Sequence, residues 1–108
     1  MANTFKLKTK ANVGVSTSNV YVVPSATTTV VIGGTLANTS GSSINVGVGV
    51  TRASTDDVKL MKNVPIPQGS SFEFMAGNKV VLETTDTLTA ESDVSNSLDV
   101  ALTIMEIT

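Results

Sequence analysis

The chain has 108 residues, a formal net charge of −2 and a pI near 4.8, with 41% hydrophobic but only 4% aromatic residues. Its length fits one domain, and its acidic balance gives no attraction to phosphate backbones or anionic lipid, so we expect neither nucleic acid nor membrane as a partner. Cysteine and histidine are both absent, which excludes disulfides, thiolate metal sites and the commonest general base.

The first 18 residues predict a strand or arm that docks on a neighbouring chain. Apolar side chains alternate here with basic ones: Phe5 and Leu7 against Lys6, Lys8 and Lys10. Alternation at period two indicates a strand. Lysines on an edge strand guard against unwanted pairing, and a salt bridge to an acidic partner surface is the alternative. The start also lacks the basic and apolar regions of a signal peptide, so we expect synthesis in the cytoplasm.

Three strands are predicted next, over residues 19–23, 30–36 and 44–51. Gly33 and Gly34 interrupt the second and indicate a bulge or a bend. The third places four β-branched residues on one face, with Gly47 and Gly49 on the other. Glycines on a strand face indicate either a bulge or a smooth solvent face, or else close contact with a neighbouring chain.

Five further strands are predicted over residues 58–64, 71–75, 79–83, 87–91 and 98–105. Pro65, Ile66 and Pro67 exclude a central strand and favour an extended segment that ends in a rigid projecting tip. Residues 76–78 predict a tight turn. Phe72 and Phe74 alternate with polar residues, so we expect both to point into the core.

These strands predict an all-β fold, an antiparallel β-sandwich of about seven or eight short strands with jelly-roll or immunoglobulin-like topology. Residues 19–108 would form the single sandwich domain. The pattern does not distinguish between the two topologies.

Catalysis is not expected, and neither is a cofactor or a metal. The acidic side chains with any clustering are Asp56, Asp57, Asp86, Glu91 and Asp93. A glycosidase would need two carboxylates across a deep cleft, which a small domain does not readily build. The acidic groups lack the spacing of an EF-hand. A structural calcium ion near Asp86 or Asp93 is the alternative to solvated turn carboxylates.

The order of segments resembles small virion proteins of tailed bacteriophages, particularly those that infect marine bacteria and cyanobacteria. The resemblance spans roughly residues 20–107 and is carried by residues 28–38, 44–50, 62–71 and 79–83. Its most specific part is the Pro-Ile-Pro-x-Gly-Ser-Ser turn before an aromatic strand, followed by Val-Val-Leu-Glu and a closing apolar strand that ends in Glu-Ile.

The resemblance implies a capsid decoration or cement protein that binds the outer shell as a homo-oligomer, with a trimer among the candidates. Its partners would be the major capsid protein or other virion proteins, and its location the virion. A tail, neck or fibre-associated structural protein is the alternative. A carbohydrate-binding module is an alternative of another class, and would need Tyr21 or Phe5 exposed beside carboxylates in a groove.

If assembly is the function, three surfaces are expected to carry it. They are the N-terminal strand with Phe5, Lys6, Leu7, Lys8 and Lys10, the face with Gly47 and Gly49, and the tip formed by Pro65, Ile66 and Pro67.

Overall fold

Nine β-strands and no helix make up the described part of the chain, which in a computed structural model comprises residues 3–52, 56–75 and 79–108. The strands are β1 Asn3–Val13, β2 Ser18–Val22, β3 Thr28–Asn38, β4 Ile44–Thr51, β5 Asp57–Ile66, β6 Ser71–Glu73, β7 Val80–Leu82, β8 Thr87–Ser92 and β9 Leu98–Ile107. The sequence-based strands are all found, and the all-β prediction is confirmed.

The strands form two antiparallel sheets. In the five-stranded sheet the order is β1-β9-β3, and β6 and β7 both pair with the free side of β3. In the four-stranded sheet the order is β2-β8-β4-β5. The first strand thus pairs with the last, the second with the second last, and so on inward to the β4–β5 hairpin. This nested pairing is the jelly-roll arrangement, and it excludes the immunoglobulin-like alternative.

The core lies between the two sheets and follows the period-two pattern of the strands. In β4 the four β-branched residues predicted to share a face are all buried. β9 contributes Leu98, Val100, Leu102 and Ile104 from alternate positions. Because β3, β4 and β9 bury the side chains of their inward faces, these central strands hold the sandwich together.

Glycines at the predicted bulge in β3 make room for an aromatic ring. The register with β9 shifts between Val31 and Gly33, which confirms the bulge. A Cβ atom at Gly34 would lie 2.4 Å from the ring of Phe74, so the ring occupies the space that a side chain would need. Phe74 is half-buried against the core, whereas Phe72 remains 41% exposed. The prediction that both rings belong to the core was therefore wrong for Phe72, because β6 is a three-residue strand at the rim of the sheet.

Pro65 lies near the end of β5, which is an edge strand, as expected for a residue without a backbone N–H. The chain then turns at residues 67–70, where the Ser70 N–H donates to the carbonyl of Pro67 at 3.1 Å and Gly69 has a φ of 73°. The turn predicted at residues 76–78 lies outside the described residues.

Candidate interaction surfaces

β1 is an edge strand with an unusually exposed surface. It pairs with β9 of the same chain from Asn3 to Lys10 without interruption. Val13 is its one buried residue, while Phe5 is 70% and Leu7 67% exposed. The N-terminal segment therefore belongs to the sandwich, and its predicted docking on a neighbour stays a prediction.

An apolar row crosses the outer face of the five-stranded sheet. Phe5 of β1 is in register with Met105 of β9, Met105 with Val30 of β3, and Val30 with Val81 of β7. The two end residues of the row, Phe5 and Val81, are its most exposed members, and Val81 is 60% exposed. We call these four residues the apolar row.

The inner face of β1 carries lysines that contact a polar cluster at the end of the core. Lys6 Nζ lies 2.8 Å from Glu106 Oε1, and Lys8 Nζ lies 5.9 Å from the centroid of the Tyr21 ring. The Tyr21 hydroxyl donates to Glu106 Oε2 at 2.5 Å and lies 2.8 Å from Thr29 Oγ1. Tyr21, Thr29 and Glu106 are all buried, so the cluster links β1 to β9 and β3, the central strands of its own sheet, and links β2 of the opposite sheet to the same two strands.

This cluster shifts the pKa values of its two acidic groups in opposite directions. Burial, assisted by the hydrogen bond to Glu106, raises the pKa of Tyr21 to about 12. The hydrogen bonds from Lys6 and then Tyr21 lower the pKa of Glu106. At neutral pH Glu106 is therefore ionised and the phenol of Tyr21 is neutral, and each is held by partners within the chain.

Gly47 and Gly49 are covered by their own chain. The β4–β5 ladder has irregular register on both sides of Val48, and a Cβ atom at Gly49 would lie 2.9 Å from the carbonyl oxygen of Val58. At Gly47 the nearest atom would be the carbonyl oxygen of Met61, at 3.4 Å. The structure thus brings β5 close to the glycines, which is the bulge interpretation, and a contact with another chain at this face stays a prediction.

An open depression of about 260 Å³ lies beside Gly47 on the four-stranded sheet. Its charged lining comprises Lys59, Lys62, Glu91 and Asp93. Lys59 and Glu91 form an ion pair of 3.0 Å, and Asp93 accepts the backbone N–H of Asn45 at 3.0 Å. The lining has no aromatic ring on which a sugar would stack.

The predicted proline tip is divided between surface and core. Pro65 and Pro67 are exposed, but Ile66 is buried, and its carbonyl accepts a hydrogen bond from Asn38 Nδ2 at 2.9 Å. The side chain of Ile66 therefore belongs to the core, and only the two prolines are placed to contact a partner.

Of the remaining acidic residues, Asp86 makes internal contacts. Buried Asp86 lies 3.4 Å from Arg52 Nε and accepts the backbone N–H of Glu83 at 2.9 Å. Asp57 begins β5 and, like Asp56, is exposed. Within residues 3–52, 56–75 and 79–108, no group of three or more acidic side chains is arranged to hold a metal ion. No helix in these same ranges has the length and hydrophobicity to cross a membrane.

Sequence reasoning missed the members of the apolar row that lie outside β1. Val81 and Met105 join Phe5 only through the pairing of four strands, which no local pattern reveals. Glu106 did leave a signal, because it continues the inward positions of β9 after Ile104 and is the one charged residue there. A charge on an otherwise apolar face calls for a buried partner.

Comparisons with known proteins give a fold likeness alone. No model of a known protein family matches the chain, and a search of curated proteins finds no match either. One similar solved structure is a chain from Bacillus endospore appendages, described as a novel family of disulfide-linked pili. It has 12% identity and a TM-score of 0.58, and the match covers 99% of this chain and 87% of that one. The resemblance to bacteriophage virion proteins stays a prediction.

Proposed function

We propose that this chain is a non-enzymatic structural subunit that acts in many copies within a larger assembly. The observation that carries the proposal is the apolar row, which is exposed at both edges of the sheet. A contiguous apolar patch on the outside of a domain marks a surface that another protein covers. The polar clusters of the described residues serve the fold, since their charges face partners within the chain.

The setting that we propose is the virion of a tailed bacteriophage, where the chain binds the outer shell as a decoration protein. The resemblance of residues 20–107 to phage virion proteins supports this setting, and a small jelly roll without a deep cleft suits it. A tail, neck or fibre position remains the alternative. In each, repeated weak contacts add up to a stable attachment.

An appendage subunit is a second candidate, and the fold likeness to a chain of Bacillus endospore appendages favours it. That likeness supports the proposal that a jelly roll of this size serves as the subunit of a larger assembly. This chain has no cysteine, so subunits joined by disulfides are not available to it. The carbohydrate-binding alternative loses support, because Tyr21 is 5% exposed, and Phe5, although exposed, does not line the depression beside Gly47.

Immunogold electron microscopy with antibodies against the recombinant chain tests the proposal. We expect regular labelling of phage heads in lysates of the producing culture. Labelling along tails would support the alternative virion position, and labelling of cell-surface filaments would support the appendage. Label confined to soluble protein, with no decorated particle or filament, would contradict the structural role.

A further inference from the structure

The outer edge of β1 has the properties of a pairing surface. Eight consecutive residues, Asn3 to Lys10, follow a regular register with β9, so their other side presents a regular row of backbone donors and acceptors. The other described edges are short or irregular: β6 and β7 have three residues each, β2 has five, and β5 contains bulges and Pro65. Short, bulged and proline-containing edges resist pairing, whereas a long regular edge accepts a strand.

The apolar row identifies what would cover this edge. It runs across the sheet and stops at Phe5, so a partner strand must continue it with an apolar side chain at the position opposite Phe5. A second copy of this chain does so if the two β1 strands run antiparallel about a two-fold axis normal to the sheet. Such an axis places Phe5 opposite Phe5 of the second copy and joins the two rows into one.

The lysines of β1 select this register over its neighbours. An axis at Lys6 would set Lys6 directly opposite its own copy, and an axis at Leu7 would set Lys6 opposite Lys8. Like charges directly opposite one another destabilise a strand pair. An axis at Phe5 instead sets Lys6 opposite Thr4, while Lys6 keeps its ion pair with Glu106 in its own chain.

We infer that two copies of this chain associate through β1, antiparallel and with Phe5 on the two-fold axis, to form one continuous sheet. The pairing covers residues 3–7 of each strand. Since this is a small contact compared with the roughly 1,200–2,000 Å² of a standard interface, the isolated dimer is weak and depends on concentration. The inference deepens the proposed structural function, because a weak self-contact gains strength when other contacts hold many copies in place.

Disulfide trapping tests the register, and the absence of native cysteine makes every introduced thiol unique. In the inferred dimer the two Cα atoms at position 5 are about 4.5–5.5 Å apart, within reach of a disulfide. Those at position 7 are displaced by four residues, or about 13 Å along the strand, which is out of reach. The variants Phe5→Cys and Leu7→Cys are a matched pair, because both side chains are about equally exposed on the same face.

We expect Phe5→Cys to form a covalent dimer at least about tenfold faster than Leu7→Cys under mild oxidation at high protein concentration. Faster trapping of Leu7→Cys would overturn the register, and equally slow trapping of both would overturn the β1 contact. A mixture of Phe5→Cys and Val81→Cys chains adds a further check. If the disulfide forms preferentially between the two different variants, copies pair head to tail, β1 with β7, and the two-fold dimer is wrong.

The wild-type chain provides a second measurement that needs no thiol. Sedimentation equilibrium should show association that rises with concentration. Phe5→Lys should weaken it by at least about tenfold, because two lysines would then lie directly opposite each other in place of the apolar contact. Val81→Lys, at the opposite edge, should weaken it by less than about twofold. Equal effects of the two substitutions would contradict the inference while leaving the virion labelling, and with it the proposed function, unaffected.

Discussion

At the scale of single residues, Glu106 explains how a strand with so little burial stays attached to the core. Its carboxylate accepts hydrogen bonds from both Lys6 of β1 and Tyr21 of β2, so one side chain connects three strands. A buried carboxylate is stable only when such partners replace water. The cluster therefore attaches to the core the part of β1 whose apolar side chains, Phe5 and Leu7, are exposed.

Replacing Glu106 by Gln should lower the free energy of unfolding by about 1–2 kcal/mol at pH 7, because the ion pair with Lys6 is lost. The pKa of Glu106 is lowered in the folded chain, so its contribution is present above the unfolded pKa and is lost as the pH falls through the folded pKa. The difference between wild type and variant in urea unfolding should shrink accordingly in acid. As a control, Glu91→Gln breaks a more exposed pair with Lys59 and should cost at most about 0.5 kcal/mol. A Glu106→Gln variant as stable as the control would contradict this role.

Tyr21 should titrate with a midpoint near pH 12 in the folded protein, since burial and its acceptor Glu106 raise the pKa of the phenol to about 12. In denaturant the midpoint should return to about 10. The chain has one tyrosine and no tryptophan, so ultraviolet absorbance reports this residue alone. Because the folded pKa is the higher one, this contribution to stability is present below pH 10 and is lost as the pH rises toward 12. Equal midpoints in buffer and denaturant would show that the phenol is not buried.

At the scale of elements, β4 shows what a sequence pattern reveals and what it leaves open. The alternation of β-branched residues predicted its buried face correctly. The glycine face allowed two interpretations. The partner strand β5 supports the bulge by bringing its carbonyls close to Gly47 and Gly49, and a contact with another chain stays a prediction. That approach depends on the register of β5, which no residue in β4 encodes.

Gly49→Ala should destabilise the fold by about 1–3 kcal/mol, since the new Cβ atom would lie 2.9 Å from a backbone carbonyl that the β5 ladder holds in place. Gly47→Ala, two residues away on the same face, meets its nearest atom at 3.4 Å and should change stability by less than about 1 kcal/mol. Thermal or urea unfolding measures both. Equal effects of the two alanines would show that the Val58 carbonyl does not crowd position 49.

β1 should also open more easily than the strands that it joins. Its residues 3–10 bury no side chain, whereas β9 and β3 lie in the middle of their sheet with alternate residues buried. In hydrogen exchange at low protein concentration, we expect amides of β1 to exchange by local opening well before those of β9. Equal protection of β1 and β9 in the dilute monomer would contradict this.

At the scale of the whole molecule, the strands could be predicted from period-two patterns but their order could not. A jelly roll pairs β1 with β9 and β2 with β8, over nearly the full length of the chain, and nothing local to Phe5 or Leu7 indicates that their neighbours lie about a hundred residues away. The apolar row could not be predicted for the same reason, because Val30, Val81 and Met105 are distant in sequence and become neighbours only in the folded sheet. The alternation of apolar and basic residues in β1 predicted that this strand carries an interface. In the fold its apolar side chains, Phe5 and Leu7, are exposed, as that prediction requires.

The abundance of this chain in assembled particles tests whether it is a structural subunit present in many copies. Quantitative mass spectrometry on purified phage particles, with heads and tails separated, measures the ratio of this chain to the major capsid protein. A ratio near one or a simple fraction of it in the head fraction is the result that we expect. Recovery of the chain only as free protein, absent from heads, tails and surface filaments alike, would contradict the claim.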